Sequence, residues 1–243
     1  MIKTFKPGEK LRSLWQYFTR YERILFIGSL LLVTVSFLIF DRTEYLRLCA
    51  SLIGATALIL CAKGHPIGQI FMIVFCILYV IISYYFSYYG EMLTYLCMSL
   101  PMTVFSLIAW LRNPSAAGHS EVKVNRIRGR EYLFLAFLAI AATFAIYFLL
   151  AYFNTANLAV STVSVTTSFV AAYLTMRRSP FYALAYSLND IVLIVLWILA
   201  CTEDISYLSV VVCFVAFIAN DLYGFFHWLS MQRAQEGKDN NLE

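Results

Sequence analysis

The sequence carries little charge. Asp, Glu, Lys and Arg make up 13% of its 243 residues, while 61% are hydrophobic. Soluble domains hold roughly 25% charged and 45–50% apolar residues, so this composition excludes an ordinary soluble protein. Glycine and proline are also scarce, at 10 and 5 residues, which excludes collagen-like and low-complexity chains, and disorder would require low hydrophobicity. The sequence therefore predicts a polytopic helical membrane protein.

Motifs typical of enzymes and pumps are missing as well. The chain has no GxxxxGK[ST] phosphate-binding loop, no GxSxG motif and no HExxH motif. Its three histidines are scattered, and its six cysteines form no CxxC pair, so we predict neither a metal site nor a disulfide framework. No lysine falls inside an apolar segment, which excludes a retinal-type pump. We expect a protein that is not an enzyme and that uses no cofactor; its net charge of +4 does not indicate a nucleic-acid partner.

Long apolar runs make up most of the sequence. A helix needs roughly 17–25 residues to cross the hydrocarbon layer. These runs do not alternate in polarity, so they indicate helices and not the strands of a β-barrel. The predicted class is an all-α membrane protein with eight transmembrane helices. The segments cover residues 24–40, 45–62, 67–89, 93–111, 132–153, 156–176, 181–200 and 207–229.

The basic residues predict the orientation in the lipid bilayer. All 18 Lys and Arg except Arg42 and Arg47 lie in segments that face one side if the helices alternate in direction. Cytoplasmic loops retain positive charge, so both termini are predicted to be cytoplasmic. Arg47 is expected to snorkel to the lipid headgroups. Glu91, Glu203 and Asp204 are expected to be solvated residues of external loops.

The order of the segments predicts one leading helix followed by a 3+1+3 arrangement. A single connecting helix between two triplets makes them parallel repeats, as in some transporters. Pro66 and Pro180 each open a middle helix, and Trp110 and Trp228 each end a triplet. The predicted units are residues 1–44 (a surface amphipathic segment and the extra transmembrane helix), 45–111 (first three-helix repeat), 112–155 (basic cytoplasmic linker and connecting helix), 156–230 (second repeat) and 231–243 (cytoplasmic tail). The amphipathic segment is equally well explained as a frayed start of the first span.

An N-D-x6-W pattern occurs twice, near the middle of the last two segments. The two copies consist of Asn189, Asp190 and Trp197, and of Asn220, Asp221 and Trp228. Seven residues make almost two helical turns, so each Asp shares a face with its Trp, about 10 Å away along the axis. A carboxyl group at the bilayer centre is costly and indicates function. Two structural alternatives are that the polar pairs hydrogen-bond neighbouring helices and that Trp228 is an interface anchor.

These residues resemble a known family, the PnuC family of bacterial vitamin transporters. The resemblance rests on N-D-L-Y-G-F-F-H-W from Asn220 to Trp228, on the helix from Asn189 to Trp197, and on residues 68–110 with L-P-M before the tryptophan. It covers about residues 45 to 232. It implies import of nicotinamide riboside, a precursor of NAD, by facilitated diffusion across the bacterial inner membrane. It also implies a homotrimer and a cytoplasmic kinase as metabolic partner, while relatives carry thiamine, riboflavin or deoxynucleosides.

The family substrate predicts roles for the polar residues. Nicotinamide riboside joins a flat pyridinium cation to a carboxamide and a ribose. An indole can stack on the cation, amides can bond to the carboxamide or hydroxyls, and a carboxylate can accept from ribose or offset the ring charge. The predicted substrate-binding residues are Tyr79, Tyr186, Asn189, Asp190, Trp197, Asn220, Asp221, Tyr223 and Trp228.

Other functions stay open at this stage. One is a SWEET-type sugar carrier with the same helix arrangement. Another is an ion-coupled transporter in which Asp190 and Asp221 carry protons. The third is a membrane scaffold in which the Asn-Asp pairs only join helices.

Overall fold

A computed structural model describes residues 17–85, 89–115 and 121–239. Within these ranges the chain is almost wholly helical. The helices are α1 (Arg20–Phe40), α2 (Tyr45–Ala62), α3 (Ile67–Tyr85), α4 (Tyr89–Thr94), α5 (Leu100–Leu111), α6 (Gly129–Tyr152), α7 (Leu158–Met176), α8 (Phe181–Ala200) and α9 (Leu208–Asp239). A π-helical turn, Tyr95–Ser99, joins α4 and α5 into one continuous span, and a 3₁₀ turn, Ile205–Tyr207, precedes α9.

The predicted class is confirmed. In the described part of the chain, eight helical segments are long and apolar enough to cross a membrane. Helix α1 begins at Arg20, before the predicted start at residue 24, because Thr19 and Glu22 form a capping box in which each side chain accepts a hydrogen bond from the other's backbone N–H. The predicted amphipathic stretch spans residues 11–25; its first part lies outside the described ranges, and its last part, from Arg20, belongs to α1.

The helices of the two predicted repeats form a closed ring. Helix α2 packs on α3, α3 on α5, α5 on α7, α7 on α8, α8 on α9, and α9 on α2. Helix α1 lies against α2 and α9, while α6 lies mainly against α7. Two parallel repeats related by a two-fold axis would produce this order. The ring therefore supports the 3+1+3 division, which stays a prediction.

One end of the ring is closed by two buried tryptophans. The rings of Trp110 and Trp228 lie 5.3 Å apart. Trp110 Nε1 donates to the carbonyl of Thr175 at 2.9 Å, and Trp228 Nε1 donates to the carbonyl of Cys61 at 3.0 Å. Each tryptophan thus ties the last helix of one repeat to the first helix of the other. We call this end, which carries Lys63, Arg112, Arg177 and Arg178, the basic end.

The linker after α5 packs across the basic end. Val122 is fully buried, and its N–H donates to the carbonyl of Gly64 at 3.0 Å. The N–H of Asn125 donates to the carbonyl of Arg178, also at 3.0 Å. Gly64 and Arg178 hold equivalent positions just after α2 and α7, and both have positive φ, 66° and 57°. The described part of the basic linker is therefore built into the bundle.

Arg47, at the opposite end, is held by contacts within the protein. Its Nη1 lies 3.0 Å from a carboxylate oxygen of Asp41, and its guanidinium lies 5.3 Å from the centre of the Tyr207 ring. Only 11% of the Arg47 side chain is exposed. A carboxylate within the protein therefore balances its charge, and the predicted extension to the lipid headgroups stays a prediction.

Candidate functional site

A series of neighbouring cavities, which share lining residues, runs between the two halves of the ring. The vestibule, of about 300 Å³, lies at the end opposite the basic end. It adjoins an upper cavity of about 70 Å³, which adjoins a central cavity of about 80 Å³. A pocket of about 20 Å³ follows, lined in part by Cys61 and Tyr182, which also pack in the cluster around the two tryptophans. The path is thus wide at one end and blocked at the basic end.

Trp197 lies where the vestibule meets the upper cavity, and it lines both. Its ring packs against Tyr207, with centroids 5.3 Å apart. Arg47 lies over Tyr207 and is held by Asp41. The indole therefore has a fixed support while it lines the path, as stacking on a flat ligand requires.

Asn189 is buried on α8 and lines both the upper and the central cavity. Its Oδ1 accepts a hydrogen bond from Thr167 Oγ1 at 2.8 Å, and Ser164 Oγ lies 3.4 Å from the same oxygen. Both hydroxyls belong to α7. Within the described residues its Nδ2 makes no hydrogen bond, so the orientation of the amide leaves a donor for a ligand.

Asp190 and Asp221 meet in the central cavity. Both are buried, and both line the same cavity. Two buried carboxylates in one small cavity repel each other. Within the described residues, Asp190 Oδ2 has no hydrogen-bond partner. Tyr186 lines the same cavity, so the predicted cluster of acids and tyrosine forms.

The first half contributes an aromatic wall. Tyr79 lines the upper cavity, and its ring lies 4.7 Å from that of Phe75 and 4.9 Å from that of Tyr95. Tyr95 and Ser99 bound the π-helical turn and line both the upper and the central cavity. Pro101, which follows this turn, has no N–H to continue the α-helical bonding. The L-P-M sequence was therefore a usable signal for a distorted helix, and sequence reasoning passed over Tyr95.

Asn220 and Tyr223 face α1 and do not line these cavities. Asn220 Nδ2 donates to Ser29 Oγ at 2.8 Å, and the Tyr223 hydroxyl donates to Glu22. Adjacent residues on a helix point about 100° apart, so Asp221 faces the central cavity while Asn220 faces α1. Trp228 belongs to the tryptophan pair at the basic end. The structure thus brings Tyr79, Tyr186, Asn189, Asp190, Trp197 and Asp221 to the cavities and directs the other three candidates elsewhere.

Two further groups of lining residues were not predicted. Ser161, Ser164 and Ser168 recur at helical spacing on α7, and all three line the cavities. That spacing was visible in the sequence. Glu91, expected in an external loop, lies in the first turn of α4 and lines both the vestibule and the upper cavity. The loop prediction was wrong because α4 begins at Tyr89, four residues before the apolar run.

The cavities offer aromatic, amide, hydroxyl and carboxyl groups, and no Lys or Arg is found among the described residues that line them. Nor do the described residues contain a cluster of three or more His, Cys, Asp or Glu that could hold a metal ion. The chemistry suits an uncharged or cationic ligand with a flat ring and hydroxyl groups.

Comparison with known proteins agrees with this chemistry. Over 228 residues the chain is 23% identical to the nicotinamide riboside transporter PnuC of Neisseria mucosa, a match that covers 92% of this chain and 85% of that protein. The crystal structure of the vitamin B3 transporter PnuC superposes with a TM-score of 0.80 at 22% identity, covering 95% of this chain and 100% of the other, which shows a shared fold. The family described as nicotinamide mononucleotide transporter matches residues 44–230. Because this match spans most of the chain and includes every residue that lines the vestibule and the two cavities, the chain belongs to the nicotinamide mononucleotide transporter family and is a membrane transporter, not an enzyme.

Proposed function

We propose that this transporter imports nicotinamide riboside by facilitated diffusion. The observation that carries the proposal is the convergence of Trp197, Asn189 and the Asp190–Asp221 pair along one path. These groups complement the three parts of the molecule. An indole can stack on the pyridinium ring, an amide can bond to the carboxamide, and carboxyl oxygens can accept from ribose hydroxyls. The substrate named for the relative in Neisseria mucosa supports the same assignment.

Transport would proceed by alternating access between the two halves of the ring. The path is open through the vestibule and blocked by Trp110 and Trp228 at the other end. If the basic end is cytoplasmic, as the positive-inside rule predicts, this conformation faces outward. Import then requires the tryptophan pair to separate while the vestibule closes. The basic end also holds both the described start of the chain and the end of α9, so both termini would be cytoplasmic in a bacterial inner membrane.

Metabolism would supply the driving force. Phosphorylation of the nucleoside by a cytoplasmic kinase adds negative charge, so the product no longer fits a path lined by carboxyl groups. The kinase is a metabolic partner in NAD biosynthesis. We also propose that the protein works as a homotrimer, and native mass spectrometry of the purified protein tests that assembly.

The test is ligand-dependent stabilisation of the purified protein. A ligand that binds only the folded state raises the unfolding temperature. We expect nicotinamide riboside to raise it more than thiamine, riboflavin or thymidine. A larger shift with one of the other three would reassign the substrate, and the absence of any shift would mean that the transporter carries none of these four.

The position of two buried acids, Asp190 and Asp221, in one cavity is the observation that favours proton coupling as a second possibility. Liposomes that contain the purified protein distinguish the two mechanisms. Facilitated diffusion predicts uptake of nicotinamide riboside without ATP and without an ion gradient. An absolute requirement for a proton gradient would instead make Asp190 and Asp221 proton carriers.

A further inference from the structure

The junction between the vestibule and the upper cavity is formed by a few side chains. Only Glu91, Ser161, Leu196 and Trp197 line both spaces among the described residues. A ligand that moves from the vestibule to Asn189 must pass them. Whatever these side chains favour or reject therefore contributes to the selectivity of the path.

Glu91 is the charged member of this junction. It is partly buried in the first turn of α4, and within the described residues its carboxylate makes neither a hydrogen bond nor an ion pair. An acidic side chain within a membrane-spanning segment is costly unless it has a partner or faces a water-filled path. Two other acidic residues at this end do have partners, because Asp41 is paired with Arg47 and Asp204 accepts from the N–H of Ser206.

The surroundings of Glu91 hold no competing cation. No Lys or Arg is found among the described residues that line the vestibule or the two cavities. Trp197 lines the same junction, so an aromatic ring and a carboxylate border one passage. A cation can interact with both at once, through the π-system and through charge pairing. A neutral molecule of the same shape gains only the stacking.

We infer that Glu91 determines specificity by selecting the positively charged form of the substrate as it passes Trp197. The inference rests on the proposed function and adds a charge criterion to it. Nicotinamide riboside and its dihydropyridine form differ by one hydride, which neutralises the ring. The two share the ribose and the carboxamide but differ in ring charge and aromaticity, so the effect of charge is isolated by comparing each ligand between the wild type and Glu91→Gln.

The experiment measures dissociation constants of both forms by calorimetry on the purified full-length protein. For the wild type we expect tighter binding of the cationic form. Glu91→Gln should weaken binding of that form by about tenfold, as the loss of a partly buried charge pair does, and leave the neutral form unchanged. Glu91→Asp should retain the preference. Glu203→Gln is the matched control, because Glu203 lines the vestibule but not the upper cavity; it should leave both constants unchanged.

Two results would overturn the inference. One is unchanged binding of the cationic form by Glu91→Gln. The other is equal weakening of both forms, which would mean that Glu91 only shapes the junction. If the wild type binds neither form, the proposed substrate is wrong, and the inference is tested with cationic thiamine against neutral riboflavin. A preference for thiamine that survives Glu91→Gln would then overturn it.

Discussion

Trp197 presents a supported aromatic ring to the path, and substitutions test how much this stacking surface contributes to binding. The indole packs on Tyr207 and lines the vestibule and the upper cavity. Trp197→Ala removes the stacking surface, and the cation–π part alone is worth roughly 0.5–2 kcal/mol. We expect binding of nicotinamide riboside to weaken at least tenfold and liposome uptake to be abolished. Trp197→Phe should keep an intermediate affinity because it keeps an aromatic face.

The control for Trp197 is an aromatic residue that does not line the path. Phe226 on α9 is 66% exposed, and Phe226→Ala should leave binding and uptake unchanged. Thermal unfolding of each variant without ligand shows whether the fold is intact. Wild-type uptake by a folded Trp197→Ala protein would remove this residue from the site.

At the scale of single residues, the sequence predicted the composition of the site better than the directions of its side chains. Helical periodicity was sufficient to place Asn189, Asp190 and Trp197 together. It could not show which side of α9 faces the cavity. The rotation of α9 about its axis is set by buried polar groups on α1. Ser29 accepts a hydrogen bond from Asn220, and Glu22 accepts one from Tyr223. These partners lie roughly 190 to 200 residues away in the chain, and no local pattern indicates them.

Among the helices, α2 and α3 make an unusually close approach at Gly68. A Cβ atom at this position would lie 2.7 Å from both the backbone nitrogen and the sulfur of Cys61. The backbone cannot move aside without shifting α2, so Gly68→Ala should destabilise the fold by about 1–3 kcal/mol, the usual cost of overpacking. The midpoint of thermal unfolding in detergent measures the effect. Gly28→Ala on α1 is the matched control, because a Cβ atom at Gly28 would meet no neighbouring atom within 4 Å; an equal loss in both variants would contradict the packing explanation.

Helix α1 is joined to the ring by a buried ion pair. Lys63 Nζ lies 3.1 Å from both carboxylate oxygens of Glu22, whose side chain is fully buried. Glu22→Gln leaves Lys63 without its counter-charge, and breaking a buried pair typically costs about 3–5 kcal/mol. We expect a marked fall in the unfolding temperature.

The exposed pair between Arg126 and Glu236 provides the comparison for Glu22. These side chains are 77% and 44% exposed, and exposed pairs are worth about 0–1 kcal/mol. Glu236→Gln should therefore leave the unfolding temperature nearly unchanged. If Glu22→Gln were equally harmless, the pair would not be what holds α1 in place.

Helix ends show a second limit of sequence-based prediction. The apolar segments located all eight spans, but they placed the start of the fourth at residue 93. The structure begins that helix at Tyr89, which moves Glu91 from a loop to the path. Hydropathy detects the residues that can face lipid. A helix can also include polar residues where these face a cavity, and hydropathy does not detect that part.

Across the whole molecule, equivalent contacts recur in both halves. The linker donates one N–H to Gly64 after α2 and another to Arg178 after α7. Each repeat also has a carboxylate from the preceding helix at its basic end: Glu22 of α1 pairs with Lys63, and Glu131 of α6 pairs with Arg177. Asp190 and Asp221 break the symmetry, because the residues at the corresponding positions of the first repeat are Cys76 and Thr103, which contact each other. A symmetric frame thus encloses an asymmetric site.

The contacts of Trp110 and Trp228 predict how the two halves of the ring separate at the basic end. Each indole donates one hydrogen bond across the two halves, at 2.9 Å and 3.0 Å. If alternating access separates the halves at the basic end, both bonds must break. Trp228→Phe retains an aromatic ring but removes the bond to the carbonyl of Cys61. A hydrogen bond contributes about 1 kcal/mol net, so its loss should raise the population of the open state by about fivefold.

Cys61 reports this opening directly, because it is buried beside Trp228. In a variant whose other five cysteines are replaced by serine, Trp228→Phe should increase the rate at which a membrane-impermeant maleimide labels Cys61 from the basic end. Trp110→Phe should act in the same direction, since its bond to Thr175 closes the other half of the frame. Trp197→Phe, at the far side of the path, should leave the labelling rate unchanged. Equal rates in all three variants would mean that the tryptophan pair only fills the core and that the halves separate elsewhere.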